Sequence, residues 1–332
     1  MPGLEAIGER KAIELILEQL EKMPKMPIPF GDDVSAYPLA DDQLLILKTD
    51  MLVDKTDAPP GMSLWQAARK AVVMNVSDFA AKGATPKVML VSLGLPRKLT
   101  KKDVREIGAG LNAGAREYDA YVIGGDTGEA SDLVISLSVF GTAKKGEVML
   151  RSGARPGDLV AVTGSFGKTS AGLRVLLDNC RVPQKVRESL VDSVLMPHAR
   201  LKEGLALSRT KAVTTAIDSS DGLAWSLHEI SRASSVGFLI NKLPAAEEAK
   251  EFAKINRLDV SELTLYGGEE YELVLTIKPK LWRRAEGAVG KVGGKLTLIG
   301  RVTADKQVVL GTGKGTHVIE PRGWEHFRKG NV

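Results

Sequence analysis

Apolar residues recur at helical spacing near the start of the chain. Ile13, Ile16, Leu17 and Leu20 fall at i, i+3, i+4 and i+7, with Glu14, Glu18 and Glu21 on the other face. This pattern predicts an amphipathic helix that stops at the proline-rich residues 24–29, because a proline drives the residue before it out of the helical region. Gly31-Asp32-Asp33 then marks a turn, and residues 44–47 form a short apolar strand ending at Lys48-Thr49-Asp50. Ser63-Leu-Trp-Gln66 has the form of a capping box, in which the serine and glutamine satisfy each other's free backbone donors. The helix it opens runs to about Lys82 and closes at Gly83, a suitable left-handed cap. Thr100-Lys-Lys-Asp103 opens another helix in the same way, ending near Tyr118. Residues 121–123 read as a strand that breaks into Gly124-Gly125-Asp126, and residues 133–140 alternate apolar and small polar positions as a half-buried strand does.

Arg151-Ser-Gly-Ala-Arg-Pro-Gly-Asp158 is a turn-rich connection, and a domain boundary just before it divides the chain into residues 1–148 and 149–332. Beyond it come a strand at 159–163, a helix from about Thr169, and a strand at 213–217. Asp218-Ser-Ser-Asp-Gly222 then turns into a helix reaching Ala233, and further strands follow at 272–277 and 296–299. Strands and helices alternate throughout, so both halves are expected to be mixed α/β or α+β. A chain of 332 residues also exceeds what one core comfortably serves.

Composition narrows the function classes. Hydrophobic residues are 43% and charged residues 26%, a soluble globular balance. No stretch approaches the ~18 apolar residues of a membrane span, and the charges at Glu5, Glu9, Arg10, Lys11 and Glu14 interrupt any signal-peptide core. Cys180 is the single cysteine, which excludes disulfides within the chain and cysteine-built metal sites and suits a reducing, cytoplasmic setting. The excess of 46 basic over 41 acidic residues is thinly spread. With only seven Phe, five Tyr and four Trp, stacking on nucleic acid is not expected.

The chemistry-bearing pattern is acidic: aspartates beside glycine, close after strand-like segments, at Lys48-Thr49-Asp50, Gly124-Gly125-Asp126 and Asp218-Ser-Ser-Asp221-Gly222, with a related turn at Asp32-Asp33. Carboxylates beyond strand ends stand where sheet proteins bind ligands. Hard oxygen donors there suit Mg²⁺, which bridges to substrate phosphates. Asp78 lies inside the capped helix, either as a metal ligand or as the i,i+4 partner of Lys82. Gly164-Ser-Phe-Gly167-Lys168-Thr169 imitates a P-loop, but Val162 stands where the motif needs its first glycine. His198, His228, His317 and His326 show no metal-ligand spacing. Glu269 and Glu270 follow a glycine pair, either as a solvated strand entry or as site acids.

Taken together, the motifs resemble the thiamine-monophosphate kinases, within the aminoimidazole-ribonucleotide-synthetase-like (PurM-like) superfamily of ATP-binding enzymes. They occur in family order: Gly31-Asp-Asp33, Thr49-Asp-Met-Leu-Val53, Asn75-Val-Ser-Asp78-Phe-Ala-Ala-Lys-Gly-Ala84, Gly124-Gly-Asp-Thr127, Arg151 to Asp158, Ile217-Asp-Ser-Ser-Asp-Gly-Leu223, Gly267-Gly-Glu-Glu-Tyr-Glu-Leu273 and Gly323-Trp-Glu-His-Phe327. The resemblance implies a two-domain fold, the N-terminal domain closing a β-barrel across a homodimer and the C-terminal domain being α+β. It implies direct transfer of the ATP γ-phosphate to thiamine monophosphate, with several Mg²⁺ ions. By position, Asp33, Thr49, Asp50, Asp78, Asp126, Asp218 and Asp221 correspond to the magnesium shell, with Lys48 offering its carbonyl. Gly125, Asp126, Arg151 and Ser220 correspond to ATP contacts, and Glu269 and Trp324 to contacts with the thiamine substrate.

Three departures stand out. Asp57 occupies the position of a substrate-contacting histidine, Glu270 replaces an aspartate, and Lys48 stands where a small hydroxylated residue is usual. Other superfamily activities are the alternative reading, either an ATP-using synthetase or a nucleotide-binding regulator without catalysis. A selenophosphate synthetase would want a reactive cysteine near the N-terminus, and none precedes Cys180. A regulator would be expected to have lost acidic ligands, which are all retained.

Overall fold

In this computed structural model, which describes residues 3–178, 180–313 and 315–327, the first half is a sheet with helices on one face. Its helices are α1 (Leu4–Leu17), the single turn α2 (Asp54–Asp57), α3 (Leu64–Lys82) and α4 (Lys101–Glu117). The strands are β1 (Ser35–Ala40), β2 (Gln43–Val53), β3 (Thr85–Leu95), β4 (Tyr121–Glu129) and β5 (Val134–Lys144), in the order β1-β2-β5-β3-β4. β3 and β4 run parallel and the other neighbours antiparallel. Side chains of a strand alternate between faces. Leu44, Ile46 and Leu52 of β2 and Ile135, Leu137 and Val139 of β5 are therefore buried on the α3 side. Tyr37, Met51, Leu90 and Ile123 of the same sheet are exposed.

The second half is built on a seven-stranded sheet. Its members are β6 (Leu159–Val162), β7 (Val213–Asp218), β8 (Gly237–Ile240), β9 (Leu273–Ile277), β10 (Thr297–Thr303), β11 (Val308–Thr312) and β12 (Gly315–Val318), in the order β12-β11-β8-β10-β6-β9-β7. Helices α5 (Lys168–Leu177), α6 (Gln184–Leu195), α7 (Leu201–Ser208) and α8 (Leu223–Ser234) belong to this half.

α3 joins the two. It packs on β2 and β5 from one side and against α7 and β7 from the other, so 15 of its 19 residues are buried, including Arg69, Lys70, Asp78 and Lys82. Both halves of its capping box form between Ser63 and Gln66. At its far end Gly83 takes φ 63°, and a Cβ there would lie 2.3 Å from the Ser208 side chain, so only glycine lets α7 approach. One apolar core consequently runs through Val72, Phe79 and Ile135 into Ala161, Leu207, Ala216 and Leu273.

Three sequence expectations change. Lys48-Thr49-Asp50 lies within β2 rather than beyond its end, because pairing with β5 continues to Val53. Gly124-Gly125-Asp126 likewise continues β4: Gly125 pairs with Val91, and a Cβ would meet the Val91 carbonyl at 1.9 Å, so glycine here permits the strand rather than breaking it. α1 ends at Leu17 and is interrupted at Gly8 (φ 74°); its Ile13 and Ile16, and Leu20 just beyond it, are exposed, not turned to the core.

Candidate active site

Lys70, Ser77, Asp78 and Lys82 follow one another along a single face of α3, seven to eight and then four residues apart. The face is buried in the seam between the halves. Asp78 meets Asp33 from the turn before β1 and Asp218, the last residue of β7. Ligand oxygens of these three buried carboxylates lie within 4.8 Å of one another. Around them stand fixed cations. Lys48 lies 2.8 Å from Asp78 and 4.0 Å from Asp50. Lys82 lies 2.6 Å from Asp32 and 2.7 Å from Asp33, and donates to the Ala216 carbonyl at 2.8 Å. Arg151 donates Nε to Asp33 at 2.7 Å and its backbone N–H to Asp32 at 3.1 Å. Ser77 donates to Asp218 at 2.7 Å. The helical pairing of Asp78 with Lys82 is replaced: Lys82 reaches Asp32 and Asp33, and Lys48 takes Asp78.

Burial pushes the Asp78 carboxyl well above the ordinary carboxylate value; Lys48 opposes this, while Asp218, Asp33 and Asp50 add to it. Asp218 is pushed up to about 6, again mainly by burial and then by the charge of Asp33. Burial acts the same way on Asp33, but Arg151 and Lys82 outweigh it and hold that carboxyl below the usual value. Five carboxylates thus face three cations (Lys48, Lys82 and Arg151), and the acids that resist ionisation are those lacking enough positive charge. Oxygen donors of this kind fit a hard divalent cation.

Beside this centre is a cavity of about 190 Å³, lined by Arg151, Asp218, Ser220, Asp221 and Trp324 together with Arg10, Trp225 and Glu229. Trp324 is tied in by its N–H, which donates to the Asp221 carbonyl at 3.0 Å. The Arg10 guanidinium lies 3.7 Å from the Trp225 ring centroid, bonds Glu229 at 2.5 Å and stands 3.7 Å from Asp221. Arg10, Trp225 and Glu229 escape a reading of the sequence. Arg10 and Glu229 are 219 positions apart, and no local spacing announces their meeting.

The loop 267–271 closes the other side. Glu269 donates its N–H to Ser220 O at 2.6 Å and Tyr271 to Ser219 O at 3.0 Å. Both residues take left-handed φ, 63° and 51°, which costs about 1 kcal/mol or more for a residue with a side chain. The Glu269 carboxylate accepts from Lys70, which also donates to the Asp57 carbonyl at 2.7 Å. The Asp57 carboxylate accepts from Val53 N–H at 2.7 Å.

Some expected members lie elsewhere. Thr49 points to the outer face of the sheet and donates its hydroxyl to Leu137 O at 2.9 Å. Gly125 and Asp126 are on the edge strand β4, with β5 and β3 between them and β2; Asp126 is in register with Ser92, Ser136 and Met51, an outward-facing row. At the P-loop look-alike, Lys168 pairs with Glu248 at 3.4 Å, and Gly167 N–H is already engaged by the Glu270 carboxyl. His198 contacts Glu117 at 3.0 Å and His228 the Ile319 carbonyl at 2.7 Å, both apart from the acidic centre.

A two-sheet fold with a buried acidic centre in its seam defines a class. Residues 31–143 match the family model described as AIR synthase related protein, N-terminal domain, and residues 155–312 match the corresponding C-terminal domain. The thiamine-monophosphate kinase of Nitrosopumilus maritimus is 36% identical over 298 residues, covering 90% of this chain and 93% of that relative. The Pyrococcus horikoshii thiamine-monophosphate kinase is 35% identical over 325 residues, 97% of each. Among solved structures, AaThiL complexed with AMPPCP and TMP matches with a TM-score of 0.86 at 30% identity, covering 98% of this chain and 99% of that one. The chain belongs to the thiamine-monophosphate kinase family.

Proposed function

We propose that this chain transfers the γ-phosphoryl group of ATP directly to thiamine monophosphate, giving thiamine diphosphate. The observation that carries the reading is the buried carboxylate triad opening beside a cavity that holds Arg151, Ser220 and Trp324, in a chain whose relatives bear that activity in their names. Asp33, Asp50, Asp78, Asp218 and Asp221 hold Mg²⁺ in this reading, with Thr49 and Lys48 lending backbone carbonyls. Bound there, Mg²⁺ neutralises the phosphate oxygens of both reactants and orients them for in-line displacement. Arg151, a planar fork already fixed on Asp33, grips a nucleotide phosphate, and Ser220 lines the nucleotide's path. Trp324 offers its ring to the cationic thiazolium, a contact worth ~0.5–2 kcal/mol. Glu269 and Asp57 border the thiamine side. Aspartates committed to cations make poor nucleophiles, so no phosphoenzyme forms.

The same proposal includes the assembly. The units are residues 1–148 and 149–332, and a second copy covers the exposed outer face and the open edges β1 and β4, closing a barrel. Gly125 and Asp126 then serve the nucleotide of the neighbouring copy, and Asp126 its metal shell. A cytoplasmic setting, where ATP is plentiful, belongs to the reading; no described helix is long and apolar enough to cross a membrane.

Incubation with Mg-ATP and thiamine monophosphate tests it directly. Thiamine diphosphate should form, with inversion at a chiral γ-phosphorus. Turnover of ATP against another acceptor, with none against thiamine monophosphate, sinks the assignment. Trp324→Ala should raise KM for thiamine monophosphate roughly tenfold and leave that for ATP nearly unchanged.

A further inference from the structure

We propose that Lys70 is a positioning residue for substrate: anchored on the Asp57 carbonyl, its ammonium fixes the Glu269 carboxylate in the orientation that receives the thiamine moiety. The inference rests on the reading of Glu269 as a thiamine contact. Lys70 is fully buried, and its Nζ joins α3 to the end of the preceding α2 and to the loop 267–271, which lies far off in sequence. Its base is α3, capped at both ends and packed on both sides, so the ammonium has little freedom. What it holds is less secure by itself. Glu269 sits at φ 63° in a loop with a second strained residue, Tyr271, and strain of this kind persists only where surroundings over-determine the conformation.

Stability does not account for the arrangement. Replacing a buried ammonium–carboxylate pair with apolar groups of similar volume is often neutral or stabilising, because desolvation offsets the attraction. A methionine at 70 would fit the same slot. What the pair supplies is geometry. Lys70 engages Oε1 of Glu269, which leaves Oε2 as the oxygen that meets an amino-bearing or cationic ring. Anchoring on Asp57 O also ties that geometry to α2, so the two borders of the thiamine side keep a fixed separation. No motif marks this role, because Lys70 and Glu269 are 199 positions apart.

The test uses the full chain in steady-state kinetics with Lys70→Met, Lys70→Gln and Glu269→Gln, and with the Lys70→Met/Glu269→Gln double variant. Lys70→Met should lower kcat/KM for thiamine monophosphate about tenfold, chiefly through KM. KM for ATP should stay within about twofold; Tm should fall in Lys70→Met, which leaves the Glu269 carboxylate without its partner, and recover in the double variant. The double variant should lose little more than the worse single one, since both act through one interaction. Lys70→Gln gives the same readout should the methionine variant not fold. Unchanged KM values, losses that multiply in the double variant, or parallel rises for both substrates would overturn the proposal. So would failure of both Lys70 variants to fold, which assigns the lysine to the scaffold. If Glu269→Gln alone leaves KM for thiamine monophosphate unaltered, the reading of Glu269 fails, a result distinct from failure at Lys70 only.

Discussion

With its ammonium 2.8 Å from Asp78 and 4.0 Å from Asp50, Lys48 acts as a built-in counter-ion that opposes, without cancelling, the upward push that burial gives the Asp78 carboxyl. Asp78→Asn should therefore fold, because the amide oxygen still accepts from Lys48, with a stability change within about 2 kcal/mol. Turnover should fall by roughly a thousandfold or more, since the amide no longer offers the charge that holds a divalent ion. Thiamine diphosphate formation and thermal melting separate the two effects, and an active variant would remove Asp78 from the centre. Residues of this centre were legible because several aspartates stand in short, ordered motifs. Their partners were less so. Lys48 was singled out for its carbonyl, whereas its side chain makes the described contacts, and Lys82 was assigned its helical neighbour instead of Asp32 and Asp33. Spacing along a helix gives the nearest candidate, and tertiary packing chose a more deeply buried one.

Among the elements, the start of α5 is held by a buried carboxyl. Glu270 accepts from Gly167 N–H, and burial raises its carboxyl to about 7. The folded chain thus holds this proton more tightly than the unfolded chain. Its contribution to stability is complete below about pH 4.5 and is lost as pH rises through about 7. Glu270→Gln keeps the acceptor without the charge, so it should stabilise by about 1 kcal/mol at pH 8 and by less at pH 5. Thermal melts at the two pH values decide the matter; an equal shift at both would show that ionisation plays no part. Local chemistry made several elements readable in advance: the capping boxes at Ser63–Gln66 and Thr100–Asp103 both form. The Gly-Gly pair of β4 was misread because glycine carries no side chain to alternate, and its necessity lies in β3 passing close by. The exposed face of α1 was misread for another reason: amphipathicity demands a partner for an apolar face but does not say that the partner is in the same chain.

On the scale of the whole molecule, β4 and its Asp126 stand at an open sheet edge, away from the triad. If Asp126 works in the neighbouring copy, co-expressing Asp126→Asn and Asp78→Asn chains should restore about a quarter of normal activity, as half the dimers then hold one unmutated centre of two. Each variant alone should be inactive, and no restoration on mixing would place Asp126 outside the neighbour's centre. Two-sheet organisation was visible in the alternation of elements, but the helix inserted between the sheets was not, since a pattern of buried positions cannot say which two surfaces bury them. That insertion has a thermodynamic outcome. α3 contributes to both halves at once, and apolar side chains that it buries in the shared core would meet solvent if either half departed. The molecule should therefore melt in a single transition, with the amide protons of α3 exchanging only through global opening. Neither half, expressed alone, should hold a native fold, so recombination of this architecture is confined to exchanges that carry the helix together with both of its surroundings.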